Sequence, residues 1–389
     1  MDSAARAERH RAPDRVPRPS VLLRVAQEGQ VPPAPGQHRR REAGEVVSGR
    51  TIPQPTGLAG ADDPSAEVVV ACVTYNSASV IEPFLAALPA ALVGVPGSRV
   101  VVVDNASSDD TVATIEEVAP WVTVVRAPGN VGYAAGINLA LRQCTARRGV
   151  YVLNPDAVPS PGSVAHLLAV VEADPEVGIA VPTVLSEAGE VKFSLRREPT
   201  ILRAAGEAVL GGHRAARHPW LGDQVRDSSK YVEGATADWA TGAALFLSRA
   251  VLDAVGSWDE RFFLYSEETD YALRARDEGF RVQLTTAASV THPGGEMESS
   301  PELWTLVAVN RQRLYRKRHA LVPSVVYWAV VLANESVRAL LGRPRSRLAT
   351  QVLLRLGPDQ TGADTTPALI ARTPVPWHVG RTPGSTPAT

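Results

Sequence analysis

The chain has 389 residues, 44% hydrophobic and 21% charged, enough apolar material to bury a full core in one large domain or two smaller ones. Its formal net charge of -1 argues against a dedicated nucleic-acid partner, which would call for a strongly basic surface. Cys72 and Cys144 are too few for a disulfide framework or a zinc site and fit a reducing, cytoplasmic compartment; no leading apolar segment has the flanks of a signal peptide.

Residues 1–63 are rich in Arg, Pro, Ala and Gln, with the cluster His38-Arg39-Arg40-Arg41 and no sustained period. This composition predicts a disordered extension, either a basic tether or sequence of no use to the fold. Folding is expected to begin at 67–76, a β-branched run that ends in Thr74, Tyr75 and Asn76. Ser79 and Glu82 have capping-box spacing ahead of a helix through Phe84, Leu85 and Leu88. A second strand over 99–103 closes on Asp104 and Asn105, and the oxygens of Ser107, Ser108, Asp109 and Asp110 can cap a helix carrying Val112, Ile115 and Val118. Strand, helix, strand, helix predicts an α/β domain built on a parallel sheet.

A third strand over 122–125 leads into the small-residue stretch 128–138, where Asn130 and Gly132 permit close backbone approach to a ligand. A helix with Ala134, Ile137 and Leu141 on one face follows. The next run is the pivot of the chain. Val150 to Leu153 reads as a strand buried on both faces, and Pro155 ends its ladder, so Asn154 and Asp156 are held at the strand's carboxyl end. A carboxylate there suits a divalent cation held against a diphosphate, and it equally suits a turn cap before Pro159 and Pro161. Val164, Leu167, Leu168 and Val171 then have the spacing of a helix packed on the sheet.

Beyond residue 173, strands are expected at 178–181 and 191–195, while 199–231 carries Gly, His, Arg and Trp in no clean period and reads as a mobile or substrate-shaped segment. Thr241, Gly242 and Ala243 form a small-residue turn into a strand ending at 247, and Val251, Leu252 and Val255 mark a helix. The aromatic run 262–265 meets Glu267, Glu268 and Asp270 in the first turn of a helix stopped by Gly279. Acids there complement the helix dipole, and their crowding beside aromatics would also raise a carboxylate pKa toward use as a base. Arg274 is expected to pair with Asp270. Strands at 280–284 and 288–292 follow, with His292 at a strand end as either a structural group or a metal or diphosphate contact. A basic cluster at 311–319 precedes the apolar stretch 321–333, which contains Tyr327 and Trp328 and falls short of the roughly 20 residues a bilayer span needs. The pairing suits peripheral contact of 311–341 with an anionic membrane, or a helix packed on the domain with a solvated basic face. A helical extension is expected over 321–356, and a disordered tail rich in Thr, Pro and Gly over 357–389.

Taken in order, the stretches 73–76, 102–109, 130–138, 153–156, 241–243 and 262–270 resemble inverting glycosyltransferases of family 2, most of all the bacterial rhamnosyltransferase-like branch. The resemblance implies a GT-A fold over 64–320, an α/β domain whose mostly parallel sheet holds the nucleotide and whose later half holds the acceptor. Thr74, Tyr75 and Asn76 would line the nucleoside, Asp104 would accept from the base imide with Asn105 beside it, and Asn130 and Gly132 would lie along ribose and diphosphate. Asn154 stands where the family has the first of two aspartates, which leaves Asp156 as ligand for Mg2+ or Mn2+ and His292 as a second candidate. Glu268 matches the family's base position, with Glu267 its rival, and Thr241, Gly242 and Ala243 would shape the acceptor loop. The implied reaction moves a sugar with inversion, rhamnose from dTDP-rhamnose first among donors, to a hydroxyl of a cell-envelope glycan or polyprenyl-linked acceptor at the inner face of the membrane. A UDP- or GDP-hexose fits the same residues, and the departures at Asn154 and Glu268 leave open a catalytically silent nucleotide-sugar-binding protein. A nucleotidyltransferase is disfavoured, because Asn76-Ser77-Ala78-Ser79 lacks the Gly-rich cationic loop that a triphosphate requires.

Overall fold

The computed structural model describes residues 51–60, 63–294 and 300–359. Its elements run β1 (Ser65–Thr74), α1 (Ile81–Ala91), β2 (Arg99–Asp104), α2 (Thr111–Val118), β3 (Thr123–Arg126), α3 (Tyr133–Leu141), β4 (Thr145–Leu153), β5 (Val158–Pro159), α4 (Ser163–Ala173) and β6 (Val177–Leu185). The later half holds β7 (Leu195–Arg196), α5 (Ile201–Leu210), α6 (Gly212–Ala215), β8 (Thr236–Ala237), β9 (Trp239–Ala240), β10 (Ala244–Ser248), α7 (Arg249–Val255), α8 (Glu267–Asp277), β11 (Arg281–Thr291), α9 (Pro301–Arg318), α10 (Leu321–Leu340) and α11 (Pro344–Leu356).

The main sheet has the order β3-β2-β1-β4-β10-β6-β11-β5, with β8 added on β11. Its longest pairings, β1 with β2, β1 with β4 and β6 with β11, are parallel, and β10 enters antiparallel between β4 and β6. Alternation along each strand divides the core into two layers. Val68, Val70 and Cys72 face one layer, Val69, Ala71 and Val73 the other, and β4 repeats the split with Tyr151 and Leu153 against Val150 and Val152. Ile81, Phe84, Leu85, Leu167 and Leu168 cover the first layer, while Ala134, Ile137, Val251 and Tyr271 cover the second. This is the α/β GT-A architecture with a C-terminal helical region. It sets Thr74, Asp104, Asn154 and His292 at strand ends or just past them.

Several local expectations are corrected. Helix α1 starts at Ile81 with Val80 in the cap position and no side-chain cap bond; Ser77 O accepts from the N–H groups of Val80 and Ile81 instead, so the Ser79 capping box is not formed. The acids and hydroxyls at 107–110 mostly tie loops together: Asp109 accepts from Ala78 N and Thr111 N, and Ser107 Oγ accepts from Asn76 N. The expected strand at 191–195 reduces to an isolated bridge at Val191 and the two-residue β7, and between them Lys192 Nζ donates to the carbonyls of His292 and Pro293. The two strands expected at 280–292 are one, β11, whose pairing with β6 slips between Thr285 and Ser289. Glu233 fills that slip by accepting from Thr286 N, Thr285 Oγ1 and Thr286 Oγ1. The segment 199–231 contains α5, capped by Thr200 Oγ1 accepting from Arg203 N, and the short α6.

Most of the two expected disordered ends lies outside the described residues. The described stretch 51–60, assigned from sequence to the extension, runs against the domain: Ile52 is buried, its N–H donates to Val118 O and Trp121 Nε1 donates to its carbonyl. At the other end Gln312 Nε2 donates to Pro358 O and Arg316 pairs with Asp359.

The C-terminal helices join the domain through α9. Ala308 and Val309 pack against Ala349, Val352 and Leu353 of α11, and the rings of His319, Tyr315 and Tyr327 form one stack with centroid spacings of 3.9 and 4.0 Å. Tyr327 is thus fully buried, and the Trp328 indole N–H donates to Leu353 O. The basic residues at 311–318 are engaged as well. Arg311 pairs with Glu207 and Asp223, Lys317 with Asp259 and Asp270, and Arg318 with Glu198 and Asp277. Asp270 is the buried centre of this network, since it also pairs with Arg274 at 2.9 Å as the spacing predicted. Asp270→Ala leaves two partly buried cations facing each other and is expected to destabilise the fold by about 3 kcal/mol in urea denaturation.

Candidate active site

The loops after β1, β2 and β4 meet at the carboxyl edge of the sheet, where open α/β sheets hold ligands. Val73, Thr74, Tyr75, Asn105, Asn130 and Gly132 line a narrow cleft of about 50 Å³. Its far wall is Phe263 with Leu303 and Leu306 from α9. Asp104 lies beneath, 4% exposed, with its carboxylate accepting from Thr74 Oγ1 at 3.1 Å, Ser107 Oγ at 2.5 Å and Ser107 N at 3.0 Å. Asn105 Nδ2 donates to Gly132 O, while its buried Oδ1 has no hydrogen-bond partner. Asn76, at φ 52°, accepts from Ser108 N and latches the β1 loop to the β2 loop without lining the cleft.

Gly132 is required here on two counts. Its φ of 90° is left-handed, and a Cβ would come within 2.5 Å of Phe263 O and 2.7 Å of the Phe263 ring. The close approach lets Tyr133 N donate to Phe263 O, binding the start of α3 to the segment that delivers the acidic pair. Asn130 Oδ1 accepts from Gly132 N and fixes the same turn.

The cleft shares Val73, Tyr133 and Leu264 with a larger cavity of about 490 Å³. Asn154, Thr241, Gly242, Ala243, Glu267, Glu268 and His292 all line it, so the fold brings these sequence-distant candidates together. Asn154 is held from three sides: its N–H donates to Ala243 O, its Oδ1 accepts from Tyr133 Oη at 2.8 Å, and its Nδ2 lies 3.5 Å from His292 Nε2. Asp156, 5% exposed, lies with Oδ1 3.3 Å from His292 Nε2. Among the described residues no group of three or more His, Cys, Asp or Glu could enclose a metal ion by itself. The Asp156 carboxylate, with further oxygen ligands from a substrate diphosphate, fits either Mg2+ or Mn2+, and the His292 imidazole fits Mn2+ better than Mg2+.

Glu267 and Glu268 open α8 after two residues in left-handed conformation, Tyr265 and Ser266. Burial, and then the neighbouring Glu268 carboxylate, pushes the Glu267 carboxyl well above its ordinary range. Burial also raises Glu268, against the pull of helix-start N–H groups and of Arg196. Tyr133, Lys192, Arg196 and Arg226 line the site without having been singled out from sequence. Tyr133 lies inside a stretch that the reading did use; the three cations lie in or beside regions whose period was weak.

Residues 69–222 match the profile of glycosyl transferase family 2. The chain is 30% identical over 233 residues, 57% of its own length and 75% of the relative's, to an N-acetylglucosaminyl-diphospho-decaprenol L-rhamnosyltransferase of Mycobacterium tuberculosis. The chain belongs to glycosyl transferase family 2. It is also 27% identical over 202 residues, 49% of this chain and 58% of the relative, to a low-salt glycan biosynthesis hexosyltransferase of Haloferax volcanii. A solved mannosyltransferase of Pyrobaculum calidifontis, in complex with GDP-Man and Mn2+, aligns over 79% of this chain and 86% of its own at 19% identity and a TM-score of 0.45. As a family 2 member the protein is a glycosyltransferase acting from a nucleotide-sugar.

The acidic pair has a measurable signature. A carboxyl whose folded pKa is raised binds a proton that the unfolded chain has already released, so its contribution to stability is complete below the unfolded value near 4.5 and is lost as pH rises through the folded value. Glu267→Gln is therefore expected to raise the urea midpoint at pH 7 to 8, with the gain vanishing toward pH 4. An unchanged midpoint at every pH would show that Glu267 carries no such penalty.

Proposed function

We propose that this glycosyltransferase moves L-rhamnose from dTDP-rhamnose, with inversion, to a hydroxyl of a lipid-linked glycan acceptor. One observation carries the reading: Glu268 lines both the central cavity and a second cavity of about 410 Å³, whereas Glu267 lines the central one alone. A base that faces a donor chamber on one side and an acceptor chamber on the other stands where the acceptor hydroxyl must meet the anomeric carbon. The name of the mycobacterial relative, an L-rhamnosyltransferase acting on N-acetylglucosaminyl-diphospho-decaprenol, supports both the sugar and the acceptor class.

The nucleoside would sit in the cleft of Thr74, Tyr75 and Asn130, with the unpaired Asn105 Oδ1 receiving the base imide N–H that Asp104, already engaged by Thr74 and Ser107, is less free to take. It would enter by displacing the wall of Leu303 and Leu306. Gly132 leaves room for the ribose and diphosphate. Glu268 removes the proton from the acceptor hydroxyl, the oxygen bonds to the anomeric carbon, and the bond to the nucleoside diphosphate breaks on the opposite face. The raised carboxyl of Glu268 makes it a stronger base than an exposed glutamate, and Gly242, whose added Cβ would lie 3.6 Å from Glu268, lets the acceptor approach. Asp156 and His292 would hold a divalent cation, which when bound neutralises charge on the departing diphosphate.

Calorimetric titration with dTDP, UDP and GDP, with and without Mg2+ or Mn2+, tests this reading. dTDP is expected to bind more tightly with metal, and Asp156→Ala to lose that gain. Glu268→Gln should keep nucleotide affinity and lower sugar transfer by about 10²- to 10⁴-fold. Preference for UDP or GDP would redirect the donor assignment to another hexose, and folded protein that binds none of the three would overturn it.

Contact with the membrane is assigned to α10 and its sequel rather than to 311–319, whose cations are engaged internally. Among the described residues no helix is long and apolar enough to cross a membrane. The outward face of α10 carries Val322, Val325, Val326, Val337 and Leu340, the last 88% exposed. The residues after Glu335 up to Pro358 include Arg338, Arg343, Arg345, Arg347 and Arg355 and no acid. An apolar stripe followed by a stretch rich in arginine suits an anionic lipid surface. Flotation with anionic vesicles should retain the wild type and lose Val326→Asp, while equal flotation of both proteins would sink the assignment.

A further inference from the structure

The second cavity changes character along its length. At the end it shares with the central cavity lie Thr241, Glu268, Gln224 and Arg226. Its other wall is apolar, built by Trp304, Val307, Ala308 and Leu314 of α9 and Val331 of α10. Its charges are mostly matched: Asp223 and Glu207 face Arg311, Arg196 pairs with Asp223, and Glu335 accepts from the Trp304 indole N–H and lies 3.9 Å from Arg338. His213 stands exposed at the rim. Arg226 differs from the other arginines. It donates to the uncharged Gln224 Oε1 at 3.0 Å and stacks over Phe193 at 5.1 Å, and among the described residues no carboxylate lies within ion-pair reach of it.

We propose that this cavity binds the anionic, prenyl-linked end of the acceptor, with Arg226 meeting the diphosphate and the wall of Trp304, Val307 and Val331 receiving the first isoprene units. The assignment rests on the acceptor reading of Glu268 above. In a sugar diphosphate one ring separates the reacting hydroxyl from the anomeric phosphate, and Glu268 and Arg226 line the same junction between cavities. A guanidinium held over an aromatic ring and free of a carboxylate is a ready partner for phosphate oxygens. A prenyl chain cannot stay in water, and the apolar wall continues the path onto α10. The outer face of that same helix is the bare stripe of Val322, Val325 and Val326. The polar end of the cavity thus gives way to an apolar wall on α9 and α10, and α10 also carries the apolar exterior.

Farnesyl diphosphate serves as the probe, titrated calorimetrically into wild type, Arg226→Gln and Val331→Glu, with dTDP plus Mn2+ titrated in parallel. Wild type is expected to bind farnesyl diphosphate, each variant to bind it roughly tenfold or more weakly, and dTDP affinity to stay the same in all three. Saturating dTDP should not displace the probe. Absence of binding by folded wild type, equal binding by both variants, or displacement by dTDP would overturn the assignment. If the probe behaves as expected while dTDP does not bind, the donor reading falls and this site stands.

Discussion

The turn from Leu264 to Ser266 is the constraint on which the catalytic half depends. Tyr265 and Ser266 both adopt left-handed conformations, with φ of 69° and 72°, a state that costs a non-glycine residue on the order of 1 kcal/mol or more. The fold holds them by over-determining the turn. Asn310, fully buried on α9, donates its amide to Leu264 O at 2.8 Å and Tyr265 O at 3.2 Å, and Arg313 donates to Asn310 Oδ1 and to Arg261 O. Only because the chain reverses there does α8 begin with Glu267 and Glu268 side by side at the central cavity. Relaxed backbone would start the helix elsewhere and turn the pair away.

Helix α9 therefore braces the site, and its charges serve that purpose. Lys317 and Arg318 fasten α8 through Asp270 and Asp277, and Arg311 fastens α5 through Glu207. The same helix supplies Leu303 and Leu306 to the narrow cleft beside Thr74 and Trp304 and Val307 to the second cavity. A change at the cleft wall is thus carried by an element that also holds the start of α8 in place. One helix therefore lines both the narrow cleft and the second cavity.

The first half of the fold was legible because each strand there is a β-branched run bounded by polar residues and each helix carries an apolar stripe. The site motifs were legible for a related reason. Asn154, Asp156, Glu267 and Glu268 sit where an apolar run stops abruptly, and a strand or helix must then expose polar groups at its end. What was not legible depended on tertiary partners. The basic run 311–319 is indistinguishable from a solvated or membrane-facing face until Glu207, Asp259, Asp270 and Asp277 are known to lie opposite. Helix α5 is one short amphipathic element inside a longer segment without a clean period, and its close packing is set by a tertiary partner: a Cβ at Gly206 would meet the Leu221 backbone. Arg226 of the second cavity lies in that unread segment, while the apolar wall comes from α9 and α10, whose inward faces are set by their packing partners.

The amide at 154, where the family has a carboxylate, follows from the charge already gathered around it. Burial pushes the Tyr133 phenol well up, and Cys72, Glu267, Glu268 and Asp156 add to the effect, so the ring lies in a pocket dominated by negative or potentially negative groups. Its hydroxyl still donates to Asn154 Oδ1. An aspartate could accept that bond too, but it would bring one more buried negative charge near Asp156 and the acidic pair, with repulsion that burial makes stronger. It would also lose the Nδ2 donor that faces His292 Nε2. Asn154 keeps the geometry of the strand end while leaving Asp156 as its one carboxylate, and Glu267 and Glu268 can then remain adjacent.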